Sequence, residues 1–187
     1  YQHETFPQID SVINVPFGEA RNIKGENEKL LLDVYSPHGD TLRKRPLVVF
    51  VHGGGFTGGD KKVGYPLLFS YGLAKRGYVC GSINYRLGVE DPKNDKSYFE
   101  AMYRAVQDTK AAIRFFRKNA DQYGVDTSQI YLMGGSAGAM TALHAAYLDA
   151  KEVPNYVNTE RWGGLEGNSG NAGYSSKVKA IINCWGA

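Results

Sequence analysis

The stretch Gly134-Gly135-Ser136-Ala137-Gly138 constrains this chain more than any other. The run Gln129-Ile130-Tyr131-Leu132-Met133 leads into it with the length and residue types of a buried strand, and Met140, Leu143, Tyr147 and Leu148 recur beyond it at helical spacing. Ser136 therefore falls at a corner between a strand and a helix. A side chain on so tight a turn is lifted clear of the sheet, and the backbone beneath it needs small neighbours, which glycine two residues to either side supplies.

A second glycine corner lies upstream. Leu47-Val48-Val49-Phe50-Val51 is almost wholly β-branched and aromatic, the pattern of a strand covered on both faces, and it ends in His52-Gly53-Gly54-Gly55-Phe56. Three successive glycines cost chain entropy, which makes sense where backbone N–H groups must approach something closely. Around these corners the chain alternates. Ser11 to Val15 and Lys29 to Tyr35 read as opening strands, Pro66 to Lys75 as a helix with proline in its first turn, and Tyr78 to Asn84 as a strand. Between Ser97 and Asn119, the residues Met102, Val106, Thr109, Ile113 and Phe116 alternate spacings of four and three, which predicts a long amphipathic helix. The helix after Ser136 runs to about Ala150. Val153 to Ser176, dense in glycine and asparagine, reads as a long irregular loop of the kind that often carries function, and Val178 to Cys184 as a last strand. The alternation predicts an α/β fold, a mostly parallel sheet wrapped by helices. Reactive groups in such sheets collect at the carboxyl ends of the strands, where both glycine corners fall.

A chain of 187 residues, 42% of them hydrophobic, suits one domain with a substantial core. Its net charge of +3 is scattered, and the densest basic run, Arg43-Lys44-Arg45, reads as a solvated turn before a strand, so a nucleic-acid face is excluded. No apolar stretch is long enough to span a bilayer. The chain opens on Tyr1 and not on methionine, so any targeting segment is expected to be gone already, which leaves location open. Cys80 and Cys184, the only cysteines, each sit in a run that reads as a buried strand; they serve as small apolar residues or form one disulfide at most. Cysteines and histidines lack metal-ligand spacing, and neither glycine corner matches a dinucleotide or phosphate-binding pattern, so no cofactor or metal is implied.

The chemistry open to this rim is acyl transfer. A serine hydroxyl is a poor nucleophile, and needs a base to take its proton and donors to hold the developing oxyanion. Ser136 on its corner has the form of a nucleophile elbow, with the Ala137 N–H at the start of a helix and the Gly54 and Gly55 N–H groups available from the facing loop. Losing one such donor typically costs about 3 to 4 kcal/mol of transition-state stabilisation. The base is not evident. His3 and His38 precede the parallel sheet, and His52 lies inside the glycine loop. His144 is about 12 Å along the helix axis from Ser136, which assigns it a structural role. Asp108 and Asp149 read as solvated or helix-pairing charges. Phe56, Tyr85 and Trp162 are pocket candidates whose alternative is plain packing.

In order along the chain, Leu32-Asp33-Val34-Tyr35, His52-Gly53-Gly54-Gly55-Phe56, Asn84-Tyr85-Arg86-Leu87, the helix around Asp108-Thr109-Lys110 and Gly134-Gly135-Ser136-Ala137-Gly138 resemble the α/β-hydrolase superfamily, in its HGGG-loop esterase and lipase branch. Glu166-Gly167-Asn168-Ser169-Gly170-Asn171 and Tyr174 to Val178 look like the bacterial carboxylesterases grouped with acetyl-xylan and feruloyl esterases. The resemblance covers about residues 11 to 187. It implies a three-layer sandwich with antiparallel N-terminal strands, C-terminally incomplete, with Ser136 as nucleophile, Gly54, Gly55 and Ala137 as oxyanion hole and His52 ordering the loop. It places the acid and the histidine after later strands, so the chain is expected to be a single hydrolase domain, 1–187, truncated before both and nearly inactive alone. Cys80 and Cys184 would lie two strands apart, unbonded. The implied substrate is a small-molecule or carbohydrate-linked ester, and the implied location secreted or periplasmic. The uncovered last strand is a free edge through which self-association is expected. A non-catalytic binding protein and an amide hydrolase of the same fold are the alternatives.

Overall fold

The computed structural model of the protein describes residues 1–186. Its elements, in chain order, are β1 (Ile9–Arg21), β2 (Asn27–Pro37), β3 (Arg45–Val51), α1 (Tyr65–Ala74), β4 (Val79–Ile83), α2 (Asp95–Lys118), the single turn α3 (Ala120–Tyr123), β5 (Val125–Gly135), α4 (Ala137–Tyr147), the single turn α5 (Thr159–Trp162) and β6 (Ala180–Cys184). The strands form one sheet in the order β1-β2-β4-β3-β5-β6. β1 and β2 run antiparallel to each other and to β4, whereas β4, β3, β5 and β6 are mutually parallel.

The alternation of side chains along β3 and β5 sorts the helices onto the two faces. Leu47, Val49, Val51, Ile130 and Leu132 meet the buried residues of α2 and α4, while Val48, Phe50, Cys80 and Met133 meet α1. Every residue of β3 is buried, Leu47 to Val51 as their unbroken apolar run requires. α2 begins at Asn94, whose side chain accepts the Lys96 N–H; Asp95 in its first turn and Arg117 and Lys118 in its last complement the helix dipole. No helix among the described residues is long and apolar enough to cross a membrane.

Several expectations need correction. β1 is longer than Ser11 to Val15 because two irregularities, between Val12 and Val15 and between Pro16 and Gly18, let it keep pairing with β2. α4 ends at Tyr147, since Asp149 caps a new 3-10 turn with Glu152 in place of continuing the helix. Asp108 is not solvated: it is fully buried and binds Arg86, with Nε and Nη2 at 2.9 and 2.8 Å. Asp108 lies off the apolar stripe, but α2 is buried on every side from Ala101 to Phe116, and the arginine that satisfies this carboxylate comes from the segment after β4. Arg45 is likewise buried, donating to Asp40 through Nε and Nη2. The long loop is a cover, with Val157, Trp162 and Leu165 in the core. Gln107 donates to the Trp162 and Gly164 carbonyls, and Lys110 and Arg114 hold Glu166. Cys80 and Cys184 are free, on strands separated by β3 and β5.

Candidate active site

Parallel pairing sets the site. Val51 is in register with Gly134, so the loop leaving β3 and the corner leaving β5 emerge side by side. Ser136 adopts φ 53° and ψ −124°, left-handed backbone for a non-glycine residue, and its side chain is exposed. The corner is clamped from several directions. The Ser136 N–H donates to the Cys184 carbonyl at the end of β6 at 3.0 Å, and the Ala139 and Met140 N–H groups donate to the Ser136 carbonyl. The Tyr65 hydroxyl donates to the Gly135 carbonyl at 3.2 Å.

The flanking glycines are required for clearance. A Cβ on Gly134 would lie 2.1 Å from the Gly138 carbonyl oxygen, and one on Gly138 would lie 2.1 Å from that of Val51. The corner folds back so closely on the β3 exit that no side chain fits between. The facing loop is built from positive φ angles at Gly54, Gly55 and Phe56, and the Thr57 and Gly58 N–H groups both close onto the Gly54 carbonyl. Its own Gly54 and Gly55 N–H groups have no acceptor among the described residues. The Ala137 N–H, at the first position of α4, belongs to the set a helix leaves without an internal partner. Gly53 brings the loop against the corner: a Cβ there would lie 3.3 Å from Ser136 Cβ.

His52 sits beneath this loop, 3% exposed, stacked on Tyr85 at 4.4 Å between ring centroids. Its Nδ1 donates to the Gly53 carbonyl at 2.7 Å, and the Tyr85 hydroxyl donates to the His52 carbonyl at 3.0 Å. Nε2 is buried with no partner among the described residues. Burial pushes the His52 pKa down, so the ring is held neutral, with Nδ1 as its one hydrogen-bonding nitrogen among the described residues.

Beside Ser136 opens a cavity of about 440 Å³, walled by Gly55 and Phe56 of the loop, Tyr98, Phe99 and Met102 of α2, and Ala137 and Met140 of α4. Of the aromatic candidates only Phe56 lines it; Tyr85 is stacked on His52, and the Trp162 ring is met by the guanidinium groups of Arg104 and Arg161 at 4.6 and 4.2 Å from its centroid. His144 is at the cavity wall, which the axial distance alone did not anticipate, because α4 runs alongside the cavity. Its Nδ1 donates to the Met140 carbonyl. Ser136 Oγ makes no hydrogen bond among the described residues, so neither histidine acts on it there. Tyr98 and Phe99 were not singled out from the sequence, and Met140 only as part of the helix pattern after Ser136. Their signal was faint: apolar residues at the open ends of two helices, where they read equally well as core.

A family model with the description BD-FAE matches residues 32–187, a span that holds both glycine corners and Ser136. The chain belongs to the BD-FAE family. Its fold is that of the α/β hydrolases. Over 134 residues this BD-FAE chain is 34% identical to a probable isoprenylcysteine alpha-carbonyl methylesterase of Oryza sativa subsp. japonica, covering 70% of the chain and 29% of that relative. Among solved structures it is similar to Thermogutta terrifontis esterase 2 phosphoramylated by tabun, at 25% identity and a TM-score of 0.65, covering 94% of the chain and 55% of the esterase. The butyrate-bound form of that esterase aligns at 27% identity and a TM-score of 0.61, over 87% of this chain and 51% of the other. The chain thus spans under a third of the rice relative and about half of the bacterial esterase.

Proposed function

We propose that this chain carries the nucleophile and oxyanion side of a carboxylic-ester hydrolase. The observation that supports it most is Ser136, at φ 53° with an exposed side chain, between the glycine loop and a cavity of about 440 Å³ with apolar walls. In this reading Ser136 Oγ attacks the ester carbonyl while a base takes its proton. The N–H groups of Ala137, Gly54 and Gly55 hold the oxyanion, and the alkoxide leaves with the proton returned to it. Water then attacks the acyl-Ser136 ester with the same base removing its proton, which releases the acid and restores the serine. The resemblance assigns the base and its acid to positions after Ala187. Ser136 Oγ has no base beside it among the described residues, so residues 1–187 alone are expected to turn over esters on the order of a millionfold more slowly than the whole enzyme.

The substrate class is a small-molecule ester whose acyl or alcohol part fits the cavity. The test is hydrolysis of p-nitrophenyl butyrate by the protein expressed from its uncut reading frame, beside a Ser136→Ala variant. Saturable hydrolysis lost in the variant is expected; hydrolysis that survives it rejects Ser136 as nucleophile. The matching anilide, turned over more slowly, distinguishes an esterase from an amidase, and acetate release from acetylated xylan tests the carbohydrate-linked class. β6 supports a companion proposal. Its outer edge pairs with no strand among the described residues, and Ile182 and Trp185 are 44% and 69% exposed. Such an edge favours association of the 187-residue chain with a second copy. A monodisperse monomer by light scattering at high concentration counts against it.

A further inference from the structure

Lys61, six residues past Gly55, is 2% exposed, and it ties the downstream end of the glycine loop to three strands. Its N–H donates to Asn84 Oδ1 at 2.7 Å, and its carbonyl accepts the Ser82 hydroxyl, also at 2.7 Å, which fixes the main chain over the end of β4. Asn84 Nδ2 holds the preceding residue through Asp60 Oδ2 at 3.0 Å. The Lys61 ammonium reaches to the antiparallel strands, 2.8 Å from Asp33 Oδ1 on β2 and 2.9 Å from Asn14 Oδ1 on β1. Asp33 is fully buried and also accepts the Asn14 N–H at 2.7 Å. Asn14 itself stands at φ 59°, between Val12 and Val15 where the β1 register shifts. The irregularity in β1 is therefore what brings a second acceptor to the ammonium.

A buried lysine–aspartate pair is a poor source of stability, because desolvating both charges offsets most of their attraction and apolar residues of similar volume serve as well. Such a pair does fix position. The glycine loop needs that, since residues 53–55 have no side chains with which to pack. At its upstream end His52 is stacked on Tyr85, and at its downstream end the anchor is Lys61. We infer that Lys61 is a positioning residue: with Asp33 and Asn14 it holds the glycine loop so that the Gly54 and Gly55 N–H groups keep their place beside Ser136. This rests on the reading of those N–H groups as oxyanion donors.

The test compares full-length Lys61→Met with the double variant Lys61→Met/Asp33→Asn. The single variant strands the Asp33 carboxylate without its cation and loses both stability and turnover. The double variant removes both charges and still offers Asn14 N–H an acceptor. It is expected to regain most of the unfolding midpoint, while kcat on p-nitrophenyl butyrate stays about ten- to hundredfold low with KM nearly unchanged, as for misplaced catalytic groups. Hydrogen exchange in the peptide spanning residues 53–60 is expected to quicken. Recovery of kcat together with stability, or unchanged exchange in that peptide, overturns the inference. Ser136→Ala in the same series separates the two readings: should it stay active, the esterase reading has failed, and loop exchange alone decides the role of Lys61.

Discussion

Ser136 sits at φ 53° and ψ −124°, a conformation that costs a residue other than glycine about 1 to 3 kcal/mol. That strain places Ser136 at the cavity wall, so in the proposed esterase reading function and stability oppose each other at this position. Ser136→Gly is expected to raise stability by about 1 kcal/mol while abolishing ester turnover; thermal unfolding beside an activity assay checks both, and a destabilised variant contradicts the strain argument. His52 gives the molecule an acid limit. Burial holds it neutral, so the unfolded chain takes up this proton first, near pH 6.5. Its contribution to stability is full above that pH and falls as the pH drops below it, since the unfolded state then binds more protons. Denaturant midpoints for the wild type and His52→Gln are expected to diverge least in mild acid and most above neutrality. A gap that does not change with pH removes His52 as the cause.

Among the elements, α2 organises the side of the sheet that faces the cavity. Its N-terminal turns supply Tyr98, Phe99 and Met102 to the cavity, and its middle supplies Asp108, which receives Arg86 from beyond β4 and the Ser169 hydroxyl at 2.9 Å from the long loop. Asp108→Ala leaves Arg86 buried with its charge unanswered and is expected to cost about 3 to 5 kcal/mol, read from urea unfolding. A loss under about 1 kcal/mol would show the network to be dispensable. The helix itself was legible in the four-three spacing from Met102 to Phe116, and β3 in its unbroken apolar run. Asp108 was not, because it lies off that stripe and nothing in the sequence marks the distant Arg86 and Ser169 that cover and satisfy it. Lys61 was hidden for the same reason: its partners, Asp33 and Asn14, lie on strands that only the sheet order brings near.

At the scale of the whole molecule, the site is a meeting of loops that parallel pairing brings to one rim, and this much followed from the alternation of strands and helices together with the glycine patterns. Gly53 to Gly55 and Gly134 to Gly138 marked where backbone approaches backbone, and the structure puts them together through Val51 and Gly134. The cavity did not follow, since its walls come from the open ends of two helices whose residues read equally well as core. The most direct measurement is peptide mapping by mass spectrometry after the full-length protein is treated with a fluorophosphonate. A single stoichiometric adduct on Ser136, with ester hydrolysis lost in step, is the predicted result. An active enzyme that carries its adduct elsewhere, or none at all, would contradict the assignment of Ser136 as nucleophile.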